Sequence, residues 1–172
     1  MSDHINIETD EVTIPEYSKC ILKGIYGFFG ENRFLSNFYP CRIGVYWMGT
    51  LFPSTEHAYQ AAKFPKVFHK EFVNITAAKS KKLAREISKD DPEIFSDESW
   101  KKVKDTVMAQ IVFQKFTNNQ DLKELLLATG EKYLEETNSW KDVYWGVCNG
   151  VGQNKLGKIL MATRSYIRNV EL

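Results

Sequence analysis

The chain has 172 residues, 43% of them hydrophobic and 13% aromatic. That is enough for one buried core, and a division into two domains would leave each half short of one. With 23 Lys and Arg against 22 Asp and Glu, the net charge of +1 excludes capture of nucleic acid by a general positive field, so any such partner must be held locally. Three cysteines, Cys20, Cys41 and Cys148, stand in no C-x-x-C spacing. They suggest neither a disulfide framework nor a thiolate metal site, and point to a reducing, cytoplasmic setting. Residues 1–15 lack a basic and apolar leader pattern, and no apolar run reaches membrane-spanning length, so neither secretion nor membrane insertion is expected.

Residues 1–20 carry few large apolar groups and are expected to be a loosely ordered lead-in, with at most a short strand at Val12-Thr13-Ile14. Residues 21–172 then form a single domain. Ile25-Tyr26-Gly27-Phe28-Phe29, bounded by Gly24 and Gly30, predicts a buried strand followed by a loop through Arg33. The apolar runs Val45-Tyr46-Trp47 and Leu51-Phe52 around Gly49 predict a hairpin, although Met48 is poorly suited to a turn that wants positive φ. Pro53 stops the second run just before a helix that places Glu56 in its first turn.

Helices dominate from there. Thr76 caps one running to about Lys89, with Ala78, Leu83, Ala84 and Ile87 inward. Its Lys79, Lys81, Lys82 and Arg85 side reads as solvated rather than as a phosphate-binding patch. Ser96 or Asp97 caps the next, whose Trp100, Val103, Val107, Met108, Ile111, Val112 and Phe116 mark it as the central core helix. A further helix opens at Asn118 or Asn119, passes through Leu122, Leu125 and Leu126, and closes at Thr129-Gly130 with a left-handed glycine cap. The last runs through Leu156, Ile159, Leu160, Arg164 and Ile167. The fold class is mixed α/β, a small mixed sheet packed by five to seven helices.

His4, His57 and His69 form no metal-ligand spacing, no Ser sits in G-x-S-x-G, and Gly146, Gly150, Gly152 and Gly157 make neither a P-loop nor G-x-G-x-x-G. No metal and no cofactor is expected. What remains is an unusual density of polar tips among aromatics, Asn37, Tyr39, Glu56, His57, Tyr59, Gln60 and Lys63. Position alone allows Glu56 to be only a helix-dipole partner.

Ser36-Asn37-Phe38-Tyr39-Pro40 followed by Pro53-Ser54-Thr55-Glu56-His57-Ala58-Tyr59-Gln60-Ala61-Ala62-Lys63-Phe64 resembles the signature of the NADAR family of YbiA-like N-glycosidases. The resemblance extends through Trp100, Lys104 and Met108, Leu126 with Thr129-Gly130, Asp142 with Trp145-Gly146, and Asn154, Leu156, Gly157, Leu160, Met161 and Arg164. Together these motifs cover roughly residues 25–166. One departure is Trp145-Gly146-Val147-Cys148-Asn149-Gly150, where family members tend to carry a second glycine closer behind the first. The family implies hydrolysis either of phosphoribosylamino-pyrimidine intermediates of riboflavin synthesis or of ADP-ribosylated guanine, free or in nucleic acid. The competing reading is a non-catalytic module that binds ADP-ribose or an NAD derivative.

Cleaving a ribosyl C–N bond builds positive charge on the sugar, so a carboxylate near C1′ stabilises the transition state and aligns or deprotonates water. Glu56 is the first candidate, on the expectation that the helix N-terminus keeps it ionised. Asp142 is the second, as a sugar ligand or partner carboxylate. Trp100 or Trp145 can stack the departing base with Lys104 nearby, although Trp100 at core spacing equally suits packing, and only the resemblance favours a pocket role. Asn37 and Gln60 would orient substrate, and Arg164 would pair with a phosphate or brace Asp142. Phe38, Tyr59, Lys63, Gly146 and Asn154 join the substrate-binding set through their places in the motifs.

Overall fold

The computed structural model describes residues 23–170. The N-terminal lead-in, its strand at 12–14, His4 and Cys20 lie outside the described residues.

Strand β1 (Ile25–Tyr26) is shorter than the apolar run predicts. Gly27, at φ 82°, turns the chain, and residues 30–35 form a 3-10 turn where a loop was expected. β2 (Pro40–Trp47) and β3 (Thr50–Ser54) make the expected hairpin, with Val45 opposite Phe52 and Tyr46 opposite Leu51. The first pair is fully buried and the second exposed, the alternation of a half-buried ribbon. Both turn residues take the positive φ of a two-residue hairpin loop, Met48 at 46° and Gly49 at 80°, so Met48 accepts the conformation that seemed unsuited to it.

Helix α1 (Thr55–Ala61) follows β3 directly, and all seven of its residues are buried. A 3-10 segment, Lys66–Phe72, leads to α2 (Ala77–Asp90), capped by Thr76, whose hydroxyl accepts from Lys79 N. On α2 the buried pair is Ser80 and Ala84; Leu83 and Ile87 pack at the margin of the core and Ala78 is exposed, contrary to its expected inward place. The reason is that α1 already fills the centre, so α2 covers it with a narrow stripe.

Helix α3 (Asp97–Asn118), capped by Ser96, is the central helix. It packs against β2, α1, α4 (Gln120–Ala128) and α5 (Lys155–Val170), burying Trp100, Val107, Met108, Ile111, Val112 and Phe116. Val103, assigned inward from its spacing, is instead 47% exposed, as is Leu125 of α4 at 44%. Gly130, at φ 60°, closes α4 as the left-handed cap.

Between α4 and α5 lie β4 (Leu134–Glu135), parallel to β1, and β5 (Thr137–Asn138), parallel to β6 (Val147–Cys148). The small mixed sheet is therefore spread over three two-stranded ladders among the described residues. Among those residues no helix is long and apolar enough to cross a membrane.

Candidate active site

One cleft is bordered by the 36–38 loop, α1 with Lys63 just beyond it, Lys81 of α2, Met108 of α3, the 136–145 segment and Leu156 of α5. The loop is fixed at both ends. Glu56 N donates to Asn37 C=O at 2.9 Å, and the fully buried Lys115 of α3 donates from Nζ to Ser36 C=O at 2.7 Å. Burial draws the Lys115 ammonium down to about 8, against the raising influence of Cys41 and Glu136, and the Ser36 carbonyl accepts one of its protons.

The cleft encloses about 210 Å³ and is walled by Glu56, Glu136 and Asp142, with Tyr59, Gln60, Lys63, Met108, Trp140 and Trp145 around them. Glu56 is 5% exposed. Its Oε1 accepts from Gln60 Nε2 at 2.8 Å, and Gln60 Oε1 accepts in turn from Lys63 Nζ at 2.7 Å. Burial pushes the Glu56 carboxyl above the ordinary carboxylate range, against the pull of the Gln60 amide, Lys81 and Lys63, and with a further push from Asp142. The helix N-terminus thus fails to dominate as the sequence argument assumed, because desolvation in the cleft is the larger effect.

Glu136, which sequence reasoning passed over, also borders the cleft. Burial raises its carboxyl to about 7, reinforced by Asp142 and Glu56 and opposed by Lys115. Its Oε2 is buried with no hydrogen-bond partner among the described residues, and the same holds for Asn37 Oδ1, whose amide nitrogen rests 3.5 Å from Met108 Sδ. Two unpartnered polar oxygens on one cleft are suited to a bound polar group. The missing signal was tertiary, since Glu136 sits in an irregular stretch with no motif and reaches the cleft only because β4 and β5 flank it.

Asp142 is half-buried, and its Oδ1 accepts from Tyr144 N at 3.1 Å and Trp145 N at 2.9 Å. The local support that its sequence does not reveal is this backbone turn. Asn138 completes it, donating from Nδ2 to Asp142 C=O at 2.8 Å and accepting from Asp142 N at 3.1 Å. The three carboxylates surround the cleft without converging; among the described residues no group of three or more His, Cys, Asp or Glu could hold a metal ion.

Aromatic rings line the floor and the rim. Tyr59 is edge-on to Trp145 at 5.5 Å and tilted against Trp100 at 5.2 Å, and burial drives its phenol upward. Trp100 lies behind Tyr59 and does not border the cleft, so its place is that of a packing brace. Phe38 and Trp140, 38% and 62% exposed, stand at the mouth, which continues into a hollow of about 780 Å³ reaching Phe28 and Phe29.

Several predicted site residues sit elsewhere. Lys104 places Nζ 3.4 Å from the centroid of the Tyr144 ring, outside the cleft lining. Gly146 is a point of close approach: a Cβ there would collide with Glu136 C=O. Asn154 is buried and donates to Leu134 C=O at 2.8 Å and Tyr133 Oη at 3.0 Å while accepting from Glu136 N at 3.1 Å, which fixes the backbone on both sides of the β4 end that presents Glu136. Arg164 donates to Thr129 Oγ1 at 2.6 Å and to Lys132 C=O, satisfying the end of α4; it meets neither Asp142 nor the cleft. His57 is also structural, its Nε2–H donating to Ile75 C=O at 2.8 Å and its Nδ1 accepting from Ser54 Oγ at 2.6 Å. Conversely Lys81, assigned to a solvated face, lines the cleft. A larger groove of about 600 Å³ between α3 and α5 holds no carboxylate or cation and lacks this chemistry.

The chain is similar to known proteins. The NADAR domain model matches residues 27–168. The chain is 42% identical over 142 residues to a riboflavin biosynthesis protein of Vibrio vulnificus, covering 80% of this chain and 36% of that one, so it spans about a third of that relative's length. It is 34% identical over 145 residues to an N-glycosidase of Nostoc punctiforme, covering 78% and 85% of the two chains. It is also 34% identical over 121 residues to N-glycosidase YbiA of Escherichia coli, covering 69% and 72%. The NMR structure of E. coli YbiA superposes with a TM-score of 0.69 at 28% identity, covering 86% of this chain and 85% of that one. A family match over most of the domain, relatives above 30% identity and a shared fold lead to one conclusion: the chain belongs to the NADAR domain family.

Proposed function

We propose that the protein is an N-glycosidase that hydrolyses the C–N bond between a ribosyl group and a base. The observation that carries this reading is the trio Glu56, Glu136 and Asp142 around one cleft with aromatic faces at its mouth. Glycosidic cleavage needs a proton donor and a carboxylate partner on opposite sides of the reacting carbon. Glu136, with its carboxyl held to about 7, keeps a proton near neutrality and serves as donor. Glu56, steadied by Gln60, is the partner that stabilises the cationic sugar. The C1′–N bond breaks with its electron pair on nitrogen, Glu136 supplies a proton to that nitrogen, and water adds at C1′ while releasing a proton to Glu56. Asp142 receives sugar hydroxyls, Asn37 Oδ1 accepts another, and Phe38 with Trp140 stacks the departing base.

Two substrate types meet these requirements, phosphoribosylamino-pyrimidine intermediates of riboflavin synthesis and ADP-ribosylated guanine, free or in nucleic acid, the reaction taking place in the cytoplasm. Incubation with each, followed by chromatography of the released base, tests the reading. Release from at least one supports it. Silence on all of them, with ADP-ribose still raising the melting temperature, overturns it in favour of a binding module.

A further inference from the structure

Lys115 of α3 is 1% exposed, yet among the described residues no carboxylate forms a salt bridge with it. The Tyr39 and Phe116 rings flank its ammonium, their centroids 5.9 and 5.0 Å from Nζ. The titratable groups that act on it are Cys41 of β2 and Glu136 beyond β4, and with burial holding it at about 8 it is still charged near neutrality. An ammonium in such a setting is unfavourable to bury, and a methionine of similar length would fill the space without that penalty. Packing of α3 therefore does not account for the lysine. Its hydrogen bond does: Nζ donates to Ser36 C=O at 2.7 Å.

Ser36 opens the loop that borders the cleft, and its carbonyl also accepts from Tyr39 N at 3.1 Å while its hydroxyl accepts from Phe38 N at 3.2 Å. The next carbonyl, that of Asn37, accepts from Glu56 N at 2.9 Å. Two successive carbonyls are thus tied to two different helices, α3 and α1. Between these ties Asn37 borders the cleft with its Oδ1 unpartnered, and Phe38 follows at the mouth. Lys115 does not border the cleft, so it reaches substrate only through this loop. A charged donor holds a carbonyl more firmly than a neutral one. We infer that Lys115 is a positioning residue: it holds the 36–38 loop so that Asn37 accepts from the sugar and Phe38 meets the base. The inference rests on the N-glycosidase reading. The same charge has a second effect, because it opposes the burial that raises the Glu136 carboxyl. Removing it lets Glu136 keep its proton to higher pH.

The test compares Lys115→Met, which keeps the length and removes both donor and charge, with Arg164→Met, a destabilised control outside the cleft. Hydrogen exchange read by mass spectrometry should be faster in peptides spanning residues 36–39 of Lys115→Met than in wild type or control. With a turned-over riboside, Lys115→Met should raise KM about fivefold or more while kcat changes less. The basic limb of its kcat/KM profile should move to higher pH, a shift that loss of packing alone does not produce. Wild-type KM and an unmoved limb overturn the inference, whether or not the loop exchanges faster, since the lysine then serves only the fold. Should Lys115→Met not fold, Lys115→Gln, whose neutral amide is too short to reach Ser36, is judged by the same readings. If the wild type hydrolyses nothing, affinity for ADP-ribose measured by calorimetry replaces KM. A Lys115→Met loop that exchanges faster and binds ADP-ribose about fivefold more weakly then leaves the positioning role standing and overturns the N-glycosidase reading instead, whereas unchanged affinity overturns the positioning role.

Discussion

Gln60 Nε2 lies 2.8 Å from Glu56 Oε1, one helical turn along α1, and the same amide accepts from Lys63 Nζ at 2.7 Å. The amide thereby transmits the lysine's charge to a carboxylate too buried to be solvated. A hydrogen bond to a charged group is worth about 1.5–3 kcal/mol, and about 1.4 kcal/mol corresponds to one pKa unit. Gln60→Met keeps the shape and deletes the bond, so Glu56 should hold its proton to higher pH. The acidic limb of the kcat/KM profile should move to higher pH, and an unmoved limb would show that Glu56 is not the group reporting there.

Glu56→Gln retains the shape and the hydrogen bond to residue 60 while deleting the charge. On the reading that this carboxylate stabilises the developing cation, kcat should fall on the order of a hundredfold or more. The melting temperature at neutral pH should not fall, because burial already disfavours the charged carboxyl that the substitution removes. A folded variant with near wild-type kcat returns Glu56 to a structural role.

Glu136 couples the site to stability. Its carboxyl titrates at about 7 in the fold against an ordinary value of 4.5. Between those values the unfolded chain has released a proton that the folded chain still holds, so this group's contribution declines as pH rises through that window. Glu136→Gln should flatten the decline, leaving the variant more resistant to urea than the wild type at pH 8 and little different at pH 4.5. It should also slow hydrolysis most for substrates whose leaving nitrogen is most basic, since those depend most on a proton donor.

How far the sequence reveals this molecule depends on the range of the interactions involved. The hairpin, the Thr76 and Ser96 caps, the Gly130 stop and the apolar face of α3 are local, and each has a residue-level signature. The motif around Glu56 likewise points to the cleft. Val103 and Ala78 were misassigned because periodicity names a face without saying what covers it. Lys81 looked solvated for the same reason, as nothing in its helix announces that α1 turns toward it. Glu136 is invisible because its burial, its charged neighbours and its raised carboxyl all come from segments distant in the chain. Trp100, Asn154 and Arg164 stand in family motifs, yet their contacts serve packing and backbone satisfaction.

Arg164 makes that distinction measurable. Its guanidinium is buried against Thr129 Oγ1 and Lys132 C=O. Arg164→Met should lower stability by about 2 kcal/mol or more through the lost charged hydrogen bonds, read as a shift in urea midpoint. KM of the folded fraction should stay at the wild-type value, whereas a selective rise for phosphorylated substrate would mean that the residue reaches the ligand.

Asp142 performs two tasks that two substitutions separate. Its Oδ1 holds Tyr144 N and Trp145 N, fixing the turn that aims the Trp145 ring at Tyr59. Asn retains an oxygen for those donors and Ala does not. Asp142→Ala should therefore lose roughly 1–2 kcal/mol of stability, or about 2–8 °C in Tm for a chain of this size. Asp142→Asn should stay close to wild type in stability. If the carboxylate also grips sugar hydroxyls, Asp142→Asn should raise KM and lower kcat/KM about tenfold through weaker acceptance, because the group binds ground state and transition state alike. An Asn variant with unchanged kinetics, beside an Ala variant that is destabilised, would confine Asp142 to holding the turn.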